Sequence, residues 1–99
     1  NYEGSLKLDP NLLEAANMLP HEMIQVYNIS TGARFETYTI LGERGSGECR
    51  LNGAAARLAC VGDLLIVVAS CTVTPEEARS HRPTVVILGA GNRIETLVS

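Results

Sequence analysis

Ninety-nine residues make a single domain, since domains mostly run to about 100–200 residues. Hydrophobic residues at 45% and charged residues at 19% match ordinary globular usage and exclude a disordered chain. A formal net charge of −3 argues against nucleic-acid binding, which needs a basic patch, and against anionic membrane surfaces.

Aromatic residues are 4%, with one Phe and no Trp, so the core is expected to be aliphatic. The longest apolar run, Leu64 to Ala69, is far short of the roughly 20 residues a spanning helix needs. Cys49, Cys60 and Cys71 are odd in number and form no Cys-x-x-Cys pair. They predict no disulfide framework and no zinc site, but three small buried hydrophobes in a reduced, cytoplasmic setting. His21 and His81 stand alone, at the surface or in loops, and no metal is expected.

Asn1 to Leu8 reads as extended, with Leu6 and Leu8 alternating around Lys7. Asp9-Pro10 then opens a helix, with Asp9 as N-cap and Pro10 at its first position. Leu12, Leu13, Ala16 and Leu19 give that helix one apolar face, and Pro20 stops it. Met23 to Ile29 is a strand run, Ser30 to Ala33 a turn, and Arg34 to Leu41 a second alternating strand. The two strands predict a hairpin. Phe35, Thr37, Thr39 and Leu41 share one face; Arg34, Glu36, Tyr38 and Ile40 share the other.

Gly42 to Gly47 is a polar loop, and Gly45-Ser46 lies within it. Glu48 to Leu51 is a short strand and Asn52-Gly53 a turn signal. Ala54-Ala55-Ala56 predicts a helical turn or a close backbone approach. Gly62-Asp63 is another turn. Leu64 to Val73 reads as a central strand buried on both faces. Thr74-Pro75-Glu76-Glu77 starts a brief helix: Thr74 caps it, Pro75 is at N1 and Glu77 at N3. Thr84 to Leu88 and Ile94 to Val98 are the last strands, around a Gly89–Asn92 turn. Five to seven strands and two short helices make a small, mainly β barrel or sandwich. A closed barrel would leave no exposed edge.

Common catalytic signatures are absent: there is no Gly-x-Ser-x-Gly, no phosphate-binding P-loop and no Cys/His dyad. Four local sequences say more. They are Tyr2-Glu3-Gly4-Ser5; Gly32-Ala33-Arg34-Phe35 with Thr37-Tyr38; Gly42-Glu43-Arg44-Gly45-Ser46; and Leu51-Asn52-Gly53-Ala54-Ala55-Ala56 followed by Val61-Gly62-Asp63. In this order and spacing the chain closely resembles the aspartate 1-decarboxylases, pyruvoyl-dependent enzymes that make β-alanine for pantothenate. The likeness continues through Glu76-Glu77-Ala78-Arg79 and Arg82-Pro83.

The resemblance implies a six-stranded double-psi β-barrel, a homotetramer with active sites between subunits, and L-aspartate as substrate. It also implies self-cleavage at Gly4-Ser5. The serine hydroxyl attacks the preceding carbonyl to give an ester; elimination and hydrolysis then leave a covalent pyruvoyl group derived from Ser5. The physical need is an electron sink for the carbanion left by decarboxylation, which no ordinary side chain supplies. By the same resemblance Thr37 holds the Gly4 carbonyl during processing, Tyr38 is the proton donor, and Asn52 orients the pyruvoyl group. Arg34 binds a substrate carboxylate, the Gly53, Ala54 and Ala55 backbone holds the other end of aspartate, and Tyr2 helps shape the pocket.

Alternation sets Arg34 and Tyr38 on one strand face and Thr37 on the other, so a bend or a shared site must reconcile their roles. The family has a strand before the Tyr-x-Gly-Ser site, carrying a lysine that helps bind substrate. That strand is expected to be missing here, and Lys7, which follows Ser5, is not that lysine. Two other readings stay open: a non-catalytic β-barrel binding module, and an unprocessed inactive precursor. The need for a maturation factor stays open too.

Overall fold

The computed structural model describes residues 4–98, so Tyr2 lies outside the described residues. The chain forms β1 (Gly4–Leu8), α1 (Pro10–Ala15), β2 (Met23–Asn28), β3 (Arg34–Leu41) and β4 (Cys49–Gly53). A 3-10 turn (Ala54–Leu58) follows, then β5 (Leu65–Val68), α2 (Pro75–Ser80), β6 (Val85–Leu88), a second 3-10 turn (Ala90–Asn92) and β7 (Ile94–Val98). The fold is mainly β with two short helices, as the sequence predicts. Among the described residues, five strands form one sheet in the order β4-β1-β3-β2-β5, and β6 and β7 form a hairpin. The arrangement is compatible with a barrel. β1 runs parallel to β3 and antiparallel to β4, so its two neighbours come from distant parts of the chain.

The core is aliphatic. Leu6 and Leu8 of β1, Leu12 and Leu13 of α1, and Ile24 and Val26 of β2 form its buried cluster. Register explains why these residues meet. Leu6 pairs with Leu51 and Thr39, while Val26 pairs with Phe35 and Val67. Paired residues point to the same side of a sheet, so one face of all five strands is turned toward α1.

The turn between β1 and α1 is organised by Asp9, only 3% exposed. Its carboxylate accepts from Asn11 N at 2.8 Å, capping the helix, and from Gly45 N at 3.0 Å and Gly47 N at 2.9 Å. One side chain thereby fixes both the helix start and the glycine-rich loop. Arg44 closes the same corner by donating to Glu14 at 2.7 Å and to Asn11 Oδ1. Asn92 Nδ2 donates to Gly47 O at 2.7 Å, which docks the β6–β7 turn onto this loop.

Four expectations are corrected. α1 ends at Ala15 rather than at Pro20, because Asn17 takes φ +60, a left-handed conformation in which asparagine is tolerated. Leu19 therefore leaves the helix face and is exposed. The run from Leu64 to Val73 is not a central buried strand. Its strand covers Leu65–Val68 and pairs with β2 at the sheet edge, with Leu65 and Val67 toward the core and Leu64 and Ile66 exposed. Cys49, Cys60 and Cys71 are exposed: Cys49 opens the edge strand β4 opposite Leu8, and Cys60 and Cys71 lie in loops. Asn52-Gly53 is not a hairpin turn, because β1 takes it up as the end of β4. The Thr74–Glu77 capping box forms as read, with Glu77 N donating to Thr74 Oγ1 and Thr74 N to Glu77 Oε1. Among the described residues, no helix is long and apolar enough to cross a membrane.

Desolvation pushes the Asp9 carboxyl up, but hydrogen bonds from Gly47, Asn11 and Gly45 and the charge of Arg44 outweigh it and hold it below the ordinary carboxylate range. A carboxyl depressed in the folded state stabilises the fold above the unfolded value, about 3.9 for Asp. That contribution is lost as pH falls through the lower folded value. Asp9→Asn is expected to lower the melting midpoint at pH 7 and to change it little at the acid end. Thermal melts across pH check this, and a pH-independent difference between the two proteins overturns it.

Candidate active site

Gly4 and Ser5 open β1 and pair antiparallel with the end of β4, Gly4 with Gly53 and Ser5 with Asn52. Ser5 is 6% exposed. Its Oγ accepts a hydrogen bond from Asn52 Nδ2 at 3.2 Å. Paired residues share a face, which is why these two side chains meet.

Gly4 is pressed against the segment after Asn52. A Cβ placed there would lie 2.6 Å from Asn52 O, 2.8 Å from Ala55 Cβ and 3.1 Å from Ala55 N. Backbone and a buried alanine cannot retreat as a flexible side chain does, so only glycine fits. Gly53 takes φ +68 and ψ −148, a conformation that glycine adopts freely. There the chain leaves the β4 ladder and folds into the Ala54–Leu58 turn, which brings buried Ala55 over Gly4. The expected close approach of the alanine segment is thus present.

The β1–β3 register pairs Leu6 with Thr39 and Lys7 with Ile40. Carried two residues toward the strand starts, it sets Ser5 level with Tyr38 and Gly4 level with Thr37. Ser5, Asn52 and Tyr38 therefore share the sheet face opposite the core, and Thr37 lies on the core face. Tyr38 is half-buried, and its ring meets the His21 ring edge-on at 6.4 Å between centroids.

Thr37 is 1% exposed, and its hydroxyl has no hydrogen-bond partner among the described residues. Thr39, two residues on, is also buried, but its hydroxyl donates to Leu19 O at 2.7 Å and accepts from Glu22 N at 3.2 Å. A buried hydroxyl without a partner costs about 1–3 kcal/mol. Such exceptions are rare in a folded core.

Arg34 does not reach Ser5 within this chain. It shares the face of Tyr38 but lies four residues away along β3, about 13 Å at the strand rise. Its guanidinium instead rests over the Tyr27 ring, 4.8 Å from the centroid, as the cross-strand pairing of Tyr27 with Arg34 dictates. The structure thus brings together Gly4, Ser5, Asn52, Gly53 and Ala55, with Ala54 exposed beside them. The faces of Thr37 and Tyr38 are as the alternation predicts.

Two polar residues hold the far end of the alanine segment: Asn28, which the sequence reading leaves within a strand run, and Asp63, which it reads as part of a turn and a family motif. The signal for Asn28 was an asparagine two residues before the middle of a turn. Its Oδ1 accepts from Ser30 N and Thr31 N in an Asx-turn.

Gly4→Ala is expected to push the Asn52–Ala55 segment away and to cost about 1–3 kcal/mol, the usual cost of overpacking a tight site. Chemical denaturation measures it. An unchanged midpoint overturns the close approach.

The chain also matches known proteins nearly end to end. A family model described as "Aspartate decarboxylase" matches residues 1–95. A protein named "Aspartate 1-decarboxylase" from Ralstonia pickettii is 53% identical over 97 residues, which cover 98% of this chain and 81% of that protein. One of the same name from Clostridium acetobutylicum is 52% identical, over 98% of this chain and 76% of its own. Another from Desulfotalea psychrophila is 51% identical, over 99% and 82%. The chain belongs to the aspartate decarboxylase family.

Proposed function

We propose that this chain cleaves itself between Gly4 and Ser5 and then decarboxylates L-aspartate to β-alanine and CO2, the step that supplies β-alanine for pantothenate. The observation that carries the reading is the buried Ser5 hydroxyl, hydrogen-bonded by Asn52 beside a Gly4 that tolerates no Cβ. Family membership supports it.

In the proposed cleavage the Ser5 oxygen bonds to the Gly4 carbonyl carbon as the Gly4–Ser5 amide bond breaks, giving an ester. The ester bond then breaks by elimination, releasing Gly4 as a carboxylate. Water finally takes the place of the Ser5 nitrogen, which departs as ammonia. Asn52 Nδ2 donates to the Ser5 oxygen and so holds its lone pairs in a fixed direction. Thr37 supplies a hydroxyl to the oxyanion that forms on Gly4, and its unpartnered state supports this role.

The residues present fit the pyruvoyl group that the family implies. Ser5 is its precursor, Asn52 is in hydrogen-bond reach, and the Gly53–Ala55 backbone closes over Gly4 with no bulky side chain. When formed, that group supplies the electron sink for decarboxylation. Tyr38 shares the face of Ser5 and donates the proton that replaces CO2. Gly53, Ala54 and Ala55 hold one end of aspartate by their backbone. Arg34 binds a carboxylate through its planar fork.

Since Arg34 stands away from Ser5 in its own chain, the pocket is completed by a second subunit of a homotetramer. Exposed Ile66, Ile87 and Leu97 on β5, β6 and β7 support an apolar subunit contact.

Intact mass of the full chain tests the cleavage. Two pieces split at Gly4-Ser5 are expected, the larger one ammonia lighter than simple hydrolysis would leave it and carrying a borohydride-reducible carbonyl. Ser5→Ala should stay in one piece and turn over no aspartate. Thr37→Val should cleave about 100-fold more slowly or worse. It should melt no lower than the parent, because it removes an unpaired buried hydroxyl. A single uncut mass for the parent protein overturns the reading.

A further inference from the structure

The segment that presses on Gly4 is fixed at its start by the β4 ladder, but little in its own sequence holds its far end. The Ala54–Leu58 turn has no side-chain cap at Gly53, and Ala54, Ala56, Arg57 and Leu58 are exposed. A five-residue 3-10 turn built mainly from alanines has no intrinsic stability to set its own position. Something outside it must decide how closely Ala55 approaches Gly4.

That outside support is a two-residue polar junction. Asn28, at the end of β2, is 1% exposed. Its Nδ2 donates to Leu58 O at 3.0 Å, the last residue of the turn, and to Asp63 Oδ2 at 2.9 Å. Its Oδ1 accepts from Ser30 N at 3.0 Å and Thr31 N at 3.2 Å. Both amide hydrogens and both oxygen lone pairs are used, so the side chain has one orientation available. Asp63 Oδ2 also accepts from Cys60 N at 2.9 Å, which pins the chain just beyond the turn. The hydrogen bond from Asn28, joined by that from Cys60 N, outweighs desolvation and holds the Asp63 carboxyl below its ordinary range, so it is ionised at neutral pH.

We infer that Asn28 and Asp63 are a positioning pair for the Gly4-Ser5 site: through Leu58 and Cys60 they seat the Ala54–Leu58 turn so that Ala55 bears on Gly4. The inference rests on the self-cleavage reading above. Neither residue touches the reacting atoms. They act through the turn, and the Gly4-to-Ala55 contact is the element that transmits their effect.

The test uses the full chain purified before cleavage and followed by intact mass. Asp63→Asn keeps size and shape but replaces the ionised acceptor. It is expected to slow cleavage about 10- to 100-fold, the scale of a small misplacement at a reacting centre, with an unchanged far-ultraviolet circular dichroism spectrum. Asn28→Asp should slow it further, because Leu58 O loses its donor and two carboxylates face each other. The double variant Asn28→Asp with Asp63→Asn restores a donor–acceptor contact between the two side chains but not the donor to Leu58 O. It should recover part, not all, of the rate lost by Asn28→Asp alone, which a merely destabilised fold would not do. A parent protein that cleaves while folded Asp63→Asn keeps the parent rate overturns the positioning role and leaves the self-cleavage reading standing. A double variant no faster than Asn28→Asp also overturns it. A parent protein that never cleaves overturns both.

Discussion

The structure depends on the absence of a side chain at Gly4. Because that backbone carries no Cβ, the Asn52–Ala55 segment can lie directly against it, and β1 can pair with the end of β4. The pairing sets Ser5 opposite Asn52, which buries the serine and gives its hydroxyl a partner. The parallel contact of β1 with β3 then brings Thr37 and Tyr38 to the same level on opposite sheet faces. A methyl group at position 4 would disturb every one of these relations through one steric clash.

The two sides of the sheet do different work. The core side is filled by Leu, Ile and Val from β1, α1 and β2, and among the described residues its polar members are satisfied with one exception. Thr39 uses its hydroxyl twice to hold the turn between α1 and β2, while Thr37 leaves its own unused. The outer side carries Ser5, Asn52, Tyr38 and Arg34. One face presents Ser5, Asn52 and Tyr38, while the other holds Thr37 level with Gly4.

Asp9 and Asn28 are alike in kind. Each is a buried polar side chain whose hydrogen bonds join its own turn to a segment far along the chain. Asp9 ties the helix start to the Gly42–Gly47 loop, and Asn28 ties the β2 turn to the end of the Ala54–Leu58 turn. In a chain of 99 residues with a small aliphatic core, such junctions set loop positions that apolar packing cannot reach. Many apolar residues of β5, β6 and β7 stay exposed.

The sequence by itself determined the local pieces. Alternation marked β3 at Arg34–Leu41 and assigned its faces, Asp9-Pro10 and Thr74-Pro75 marked both helix starts, and the joint order of four motifs pointed to the family. These are short-range facts, set by side-chain period, capping chemistry and fixed φ. Tertiary structure decided what those pieces touch. Asn52-Gly53 has the chemistry of a hairpin turn, yet a strand nearly fifty residues earlier claims it as a partner. The apolar run after Leu64 reads as central, yet pairing places it at an edge. Leu19 lost its helix face when Asn17 turned left-handed, and the cysteines fell on edge and loop positions. Arg34 shares a face with Tyr38 but not a location with Ser5. Each of these turns on strand register and long-range pairing, whose energy comes from contacts between residues far apart in the chain, and no local pattern encodes them.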